Sequence, residues 1–336
     1  MIPIPHSGPR LACLALGLIA ITFPLPNQAS PITALAFSQD GSRLISHGPR
    51  SIEIRDPSHG AVLSRWECSL PKITAIRFDR SGRWLAIAGG TPAEDGETRL
   101  LSWPNGIQTA RWTVAGDLPT AVDFNPAGDR IVVADALGQA HVWPVPREPG
   151  KPPSNSPTHP PIVLSGHAGP IFAVAWSPAD DVIATAGADR SLKVWAATDG
   201  RLIRTFHHHT EAPNVLAFRP PIAGAAGGPP AVCASGADDR TVRVWQPGIG
   251  RMVRIVRQHQ GAILALAWLP DGDSFLSAGA EGLVRRIDAS SDRVLSEWKL
   301  SEDWILSLAI RPDGAMLVAG DASGKLTFQP LISPSR

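Results

Sequence analysis

Apolar and small residues alternate in a short phrase that returns seven times along the chain, ending each time in a bulky apolar residue and, in most copies, a turn. The copies are TALAFSQDG (33–41), TAIRFDRSG (74–82), TAVDFNPAG (120–128), FAVAWSPAD (172–180), NVLAFRP (214–220), LALAWLPDG (264–272) and LSLAIRPDG (306–314). A period of two predicts a strand with two unlike faces. In the first copy Thr33, Leu35 and Phe37 make the bulky face and Ala34 and Ala36 the small one. Strands crowded around a common axis require that division. After the fourth copy the pattern continues as a turn SPADD, VIATAG, a turn at Asp189, SLKVW, a turn ATDG and RLIRTF. This predicts four short strands per unit and no helix after residue 30.

The last apolar anchors are Phe37, Phe78, Phe124, Trp176, Phe218, Trp268 and Ile310, separated by 41, 46, 52, 42, 50 and 42 residues. The basic unit of about 41 residues suits the ~40 to 45 of a four-stranded propeller blade. The longer steps contain GTPAEDGET, PVPREPGKPPSNSPTHPP and PPIAGAAGGPP, whose Pro, Gly and polar content reads as loop. The expected fold is all-β. It is one seven-bladed β-propeller over residues 30–332, of four-stranded antiparallel blades starting near 32, 73, 119, 171, 213, 263 and 305. A Pro-rich insertion at 144–161 falls within the third blade.

The units resemble WD40 repeats, in which a Gly-His pair precedes the first strand and a Trp closes the third. One copy has Gly166, His167, Thr185, Asp189 and Trp195; the next has His209, Ser235, Asp239 and Trp245. In both, Asp stands four residues after the hydroxyl residue and six before Trp. The resemblance implies that His, Ser or Thr, Asp and Trp form a hydrogen-bonded tetrad inside the blade. Other copies depart from it. The sixth keeps His259 and Ser277 but has Glu281 and Ile287 at the Asp and Trp positions, and copies one and seven carry Arg55 and Gln329 in place of Trp. The family also tends to complete its last blade with a strand from the other terminus. Here PLISPSR is too short and Pro-broken for that strand. Either AITFPL, near residues 20–25, closes the ring, or the seventh blade has three strands; the second is the expectation.

Charge adds an exclusion. The 31 basic and 30 acidic residues leave a net charge of +1 and read as evenly spread, without a footprint for nucleic acid or an anionic membrane surface. The N-terminus differs in kind. Leu11 to Phe23 is an apolar run of signal-peptide rather than membrane-spanning length, followed by PLPNQAS. Residues 1–29 are expected to be a signal peptide, cut after Ala29, or an N-terminal hydrophobic anchor. The first places the protein in the periplasm or cell envelope. If the run is instead a strand, the location is cytoplasmic, and membrane contact arises only if the segment stays uncleaved. Beyond it only Cys68 and Cys233 remain, too far apart in the repeats to pair.

The sequence carries no GxSxG, HExxH, CxxC or phosphate-binding glycine loop. The innermost strands offer Arg77 and Asp123 at matching positions of neighbouring blades, read as an ion pair. HHH at 207–209 is the one metal-like cluster, and alternation would put His207 and His209 on one side. His209 is the tetrad residue, so no metal and no cofactor is expected. The expectation is a monomeric, non-enzymatic scaffold that binds other proteins through the loops of the tetrad face, with Arg190, Asp238, Arg240 and Trp304 as candidate contacts, because Trp and Arg are enriched at binding hot spots. The alternatives are a propeller binding a small ligand or acting as an enzyme on its axis, and, on resemblance alone, an accessory to envelope redox proteins.

Overall fold

The alternating runs form antiparallel strands, and in a computed structural model covering residues 30–114, 116–148, 160–221 and 231–331 every regular element is a strand. In blade four Ile171–Trp176, Val182–Gly187, Leu192–Ala196 and Leu202–Phe206 pair in sequence order. The second strand is buried at all positions, whereas the outermost alternates between exposed and half-buried ones before ending buried at Phe206. Inner strands are covered on both faces by neighbouring blades, which explains VIATAG as a continuous apolar and small-residue run. The outermost strand keeps one face in water and therefore alternates.

Seven such sheets make a seven-bladed β-propeller, with six blades of four strands and a last blade of three: Ile305–Ile310, Met316–Asp321 and Leu326–Pro330. In blade three the Pro-rich insertion leads from Gln139–Pro144 to the outermost strand Ile162–Ser165, and its residues 149–159 lie outside the described residues. So do the N-terminal segment 1–29 and the alternative closing strand at 20–25. The Cys68 and Cys233 thiols are buried and free, and burial pushes the Cys233 thiol upward.

Hydrophobic clusters sit between blades rather than within them. Leu35, Phe37 and Leu44 of blade one pack with Ala309 and Val318 of blade seven, and Phe328 completes that seam. Each fully buried aliphatic side chain contributes about 1.5–3 kcal/mol, so a blade without a neighbour would lose most of its stabilisation.

Hydrogen bonds near one mouth of the central channel reinforce five of the seven seams. Thr33 Oγ1 donates to the Ile73 carbonyl at 2.7 Å, Thr74 to Pro119 at 2.6 Å and Thr120 to Ile171 at 2.5 Å. Asn214 Nδ2 donates to Ile263 at 3.2 Å, and Ser307 Oγ closes the ring onto the Ile32 carbonyl at 2.7 Å. At the other two seams Phe172 and Leu264 stand where the hydroxyl or amide would be. The Ile32 amide also donates to the Asp321 carbonyl at 3.0 Å, so blade seven is fastened to blade one through its inner strands.

Replacing Ser307→Ala leaves the Ile32 carbonyl short of a partner in a buried position. It is expected to cost about 1–2 kcal/mol, read as a lower urea midpoint. An unchanged midpoint would mean that apolar packing alone holds the closing seam.

Candidate functional site

Two side-chain clasps tie the third strand of a blade to the loop before its first. In blade four Trp195 Nε1 donates to Thr185 Oγ1 at 2.9 Å, and Thr185 Oγ1 lies 2.8 Å from His167 Nε2. Since the hydroxyl accepts from Trp195, it donates to Nε2, and His167 Nδ1–H donates to Asp189 at 3.0 Å. Ser191 Oγ and the Ala168 amide complete the carboxylate's shell. Blade five repeats the arrangement. Trp245 Nε1 meets Ser235 Oγ at 2.8 Å, Ser235 meets His209 Nε2 at 2.8 Å, and His209 Nδ1 meets Asp239 at 2.9 Å.

Burial drives the His167 and His209 pKa values down, against the pull of their aspartates. For Asp189 burial acts upward, but the hydrogen bonds from Ser191, Ala168 and His167 outweigh it and hold the carboxyl at about 2. The resulting pair is a neutral imidazole donating to a carboxylate. All its polar atoms serve the clasp, which leaves no free base or nucleophile there.

Four of the five remaining blades reach similar ends by other chemistry. In blade one Arg55 occupies the Trp position, and its Nε donates to Ser46 Oγ at 2.8 Å while the guanidinium pairs with Glu53. In blade six Glu281 pairs with His259, His259 Nε2 meets Ser277 at 2.7 Å, and Arg285 bridges His259 and Glu281. Ile287 supplies no indole donor. In blade seven Ser301 Oγ donates to Asp321 at 2.6 Å, and in blade three Asp135 lies 3.2 Å from His141 Nε2. Sequence reasoning placed His259, Ser277, Glu281 and Arg55 at clasp positions but missed the bonds that Arg55 and Arg285 supply and the pairs in blades three and seven. In blades one, three and six the available signal was an arginine or a second polar residue on the third strand, which a Trp-centred pattern passes over.

The turn after each tetrad Asp exposes an arginine. Arg190 and Arg240 have φ of 62° and 63°, where blades six and seven place Gly282 and Gly324. Arg190 Nη1 reaches the Thr210 carbonyl at 3.3 Å, and Arg240 projects into solvent. Asp238 is half-buried rather than free, because Asn214 Nδ2 donates to it at 2.6 Å; burial raises its carboxyl and the Asn214 bond opposes that. Trp304 is 47% exposed. Its backbone is nonetheless fixed, since its amide donates to Asp303 Oδ1 at 2.7 Å and its carbonyl accepts from the Ala322 amide at 2.9 Å. All four residues lie on inter-blade loops or second-to-third-strand turns, which share one face of the ring.

The histidine run separates. His209 is buried in its clasp, while His207 and His208 are exposed, so His207 and His209 do not share a ligand set. The His208 ring stacks on Trp245, 5.4 Å away and 16° from parallel. Among the described residues no group of three side chains is placed to hold a metal ion. On the axis Arg77 Nε and Asp123 Oδ1 pair at 3.3 Å, and Asp123 Oδ2 accepts the Trp176 amide at 2.8 Å. Burial raises the Asp123 carboxyl and Arg77 lowers it, which leaves a self-satisfied pair in the channel.

Sheet architecture and clasp together define a propeller of clasped four-stranded repeats. The family model described as WD domain, G-beta repeat matches residues 159–196, 200–246 and 250–288, the stretch containing the two full clasps and the Glu281 variant. The chain is similar to a WD repeat-containing protein WDS homolog of Arabidopsis thaliana, 26% identical over 157 residues that make up 46% of this chain and 28% of that protein. It is also similar to a "Probable cytosolic Fe-S cluster assembly factor" of Schizosaccharomyces japonicus, 42% identical over 59 residues, 17% of this chain and 10% of that protein. The chain thus spans less than a third of the length of the curated relatives it matches. Three matched repeats within a ring of seven blades support a WD40 β-propeller family.

A pH dependence follows from the buried imidazoles. His47 Nε2 accepts the Thr33 amide at 3.1 Å, and burial lowers its pKa from 6.5 to about 4, with Glu53 opposing. His167, His209 and His259 shift in the same direction. The unfolded chain therefore binds protons first. Stability is complete above about pH 6.5 and falls as the pH drops, for His47 until about pH 4. Urea midpoints measured from neutral to mildly acid pH should decline, and His47→Gln should remove about one proton from the slope. An identical slope in the variant would exclude His47 as a contributor.

Proposed function

We propose that the protein is a non-enzymatic interaction platform of the cell envelope, engaging partner proteins through the face that carries the clasp turns. WD40 propellers commonly serve as protein-interaction scaffolds. The observation that carries the reading is Trp304, a large aromatic ring half in solvent on a backbone fixed at both its amide and its carbonyl. Such an anchor pays little conformational entropy on binding. Arg190 and Arg240 add exposed charge to the same face, held in a left-handed backbone conformation that costs of order 1 kcal/mol at each position. The Arg77–Asp123 pair on the axis is mutually neutralised and favours no catalytic reading.

Cross-linked capture from the envelope fraction of the native host, with bound proteins identified by mass spectrometry, tests the face. Wild type is expected to retain a partner that a Trp304→Ala, Arg240→Glu variant loses while melting like wild type. These two are preferred to Asp238, whose replacement would also release Asn214. Retention of the same partner by the variant would remove this face from consideration. Export is tested separately by the N-terminus of the mature protein: a chain starting at Ser30 supports it, and an intact Met1 in the cytosolic fraction overturns it.

A further inference from the structure

The net charge of +1 conceals an asymmetry that corrects the reading of an even spread. Between residues 201 and 257 eight arginines stand against three carboxylates, and the rest of the chain is correspondingly acidic. Much of the excess lies on the outer wall of blades four and five, on their outermost strands Leu202–Phe206 and Arg251–Val256 and the residues flanking them. Arg201, Arg204, Arg251 and Arg257 are exposed there, and among the described residues none has a carboxylate within ion-pair distance. Elsewhere the comparable strands balance their charge, as where Arg111 meets Glu97 and Arg65 meets Glu53.

The arginine-bearing strands meet across the blade boundary at Arg204 and the turn that leads into Arg251. Arg204 of blade four lies with its Nη1 3.0 Å from where a Cβ on Gly250 of blade five would sit. Arg257 contributes to lowering the Arg243 pKa, after burial and against Asp239, so the two guanidinium groups feel each other's charge. Apolar side chains are set between them: Leu202, Ile249 and Val253 are 41%, 55% and 38% exposed. Along Arg251–Val256, Arg251 and Val253 are exposed two residues apart, as are Leu202 and Arg204 in the neighbouring strand. Both strands end their sheets, so their outward backbone edges are unpaired.

We propose that this wall docks an extended acidic polypeptide segment, whose carboxylates pair with the arginines while its apolar residues cover Leu202, Ile249 and Val253. Every cation of the patch is an arginine, whose planar fork matches a carboxylate two bonds at a time. A strand laid along an open edge repeats its side chains at the pitch of the exposed positions, and its backbone supplies the missing hydrogen bonds. A bilayer or a nucleic acid could use the charge but not the strand edge, which favours the polypeptide. The surface is distinct from the face carrying Trp304 and does not depend on that reading.

The test is fluorescence anisotropy of a fluorescein-labelled peptide of alternating Glu and Val, titrated with the full chain. Parallel titrations use an alternating Lys and Val peptide, phosphatidylserine vesicles and single-stranded DNA. Binding of the acidic peptide is expected, weakening as salt is raised. Arg204→Glu, Arg251→Glu and Arg257→Glu combined should weaken it roughly tenfold or more. The corresponding Gln triple variant, less prone to disturb folding, should fall between. The proposal is overturned if wild type does not bind the acidic peptide, if both variants bind it as wild type does, or if vesicles or DNA bind more tightly than the peptide.

Discussion

Each blade of this ring hides its faces only against its neighbours, and the seam between blades seven and one is where that dependence becomes a constraint on the whole chain. The other six seams join blades adjacent in sequence. The closing one joins residues more than 270 positions apart, as Ser307 and Ile32 do. Blade seven brings only three strands to it, so closure rests on the inner strands, on the Ile32 and Asp321 backbone bond and on the packing of Phe328. Contacts this distant in sequence form late and at high entropic cost, yet the burial of blades one and seven depends on them.

Within blades a second principle operates. A polar group taken out of water must be matched, and the tetrads do this by arranging donors in a line from indole to hydroxyl to imidazole to carboxylate. Where the indole is missing another donor takes its place, as Arg55 does toward Ser46. Where the aspartate is lengthened to Glu281, Arg285 moves in to satisfy the imidazole and carboxylate together. Blade two has dispensed with the arrangement, placing Ile87 where Thr185 stands in blade four.

The architecture was legible because burial imposes periodicity: the phrase ending at Phe37 and its six relatives marks the innermost strands, and the spacing of their anchors counts the blades. Offsets between hydroxyl, Asp and Trp in blades four and five were readable for the same reason, since strand pairing converts a spacing into a meeting. The substitutes were not, because an arginine in a strand looks alike whether it completes a clasp, as Arg55 does, or faces water, as Arg251 does. Position in space decides between them. The imbalance of charge was missed by summing over the chain, since blade five's arginines cancel against carboxylates on distant walls. The burial of Asp238 beside Asn214 and the exposure of Trp304 depend on loop geometry, which no periodic pattern encodes.

The two complete clasps stand in blades four and five, on the side of the circle away from the seam that joins the chain's first and last blades. Mechanically the molecule is a split washer: its gap is bridged by a few bonds, and its best-braced sector lies across from the gap. A force or a crowding partner that pries it apart would part the ends first and leave the braced sector standing, so damage at the gap need not erase whatever is bound on the opposite arc.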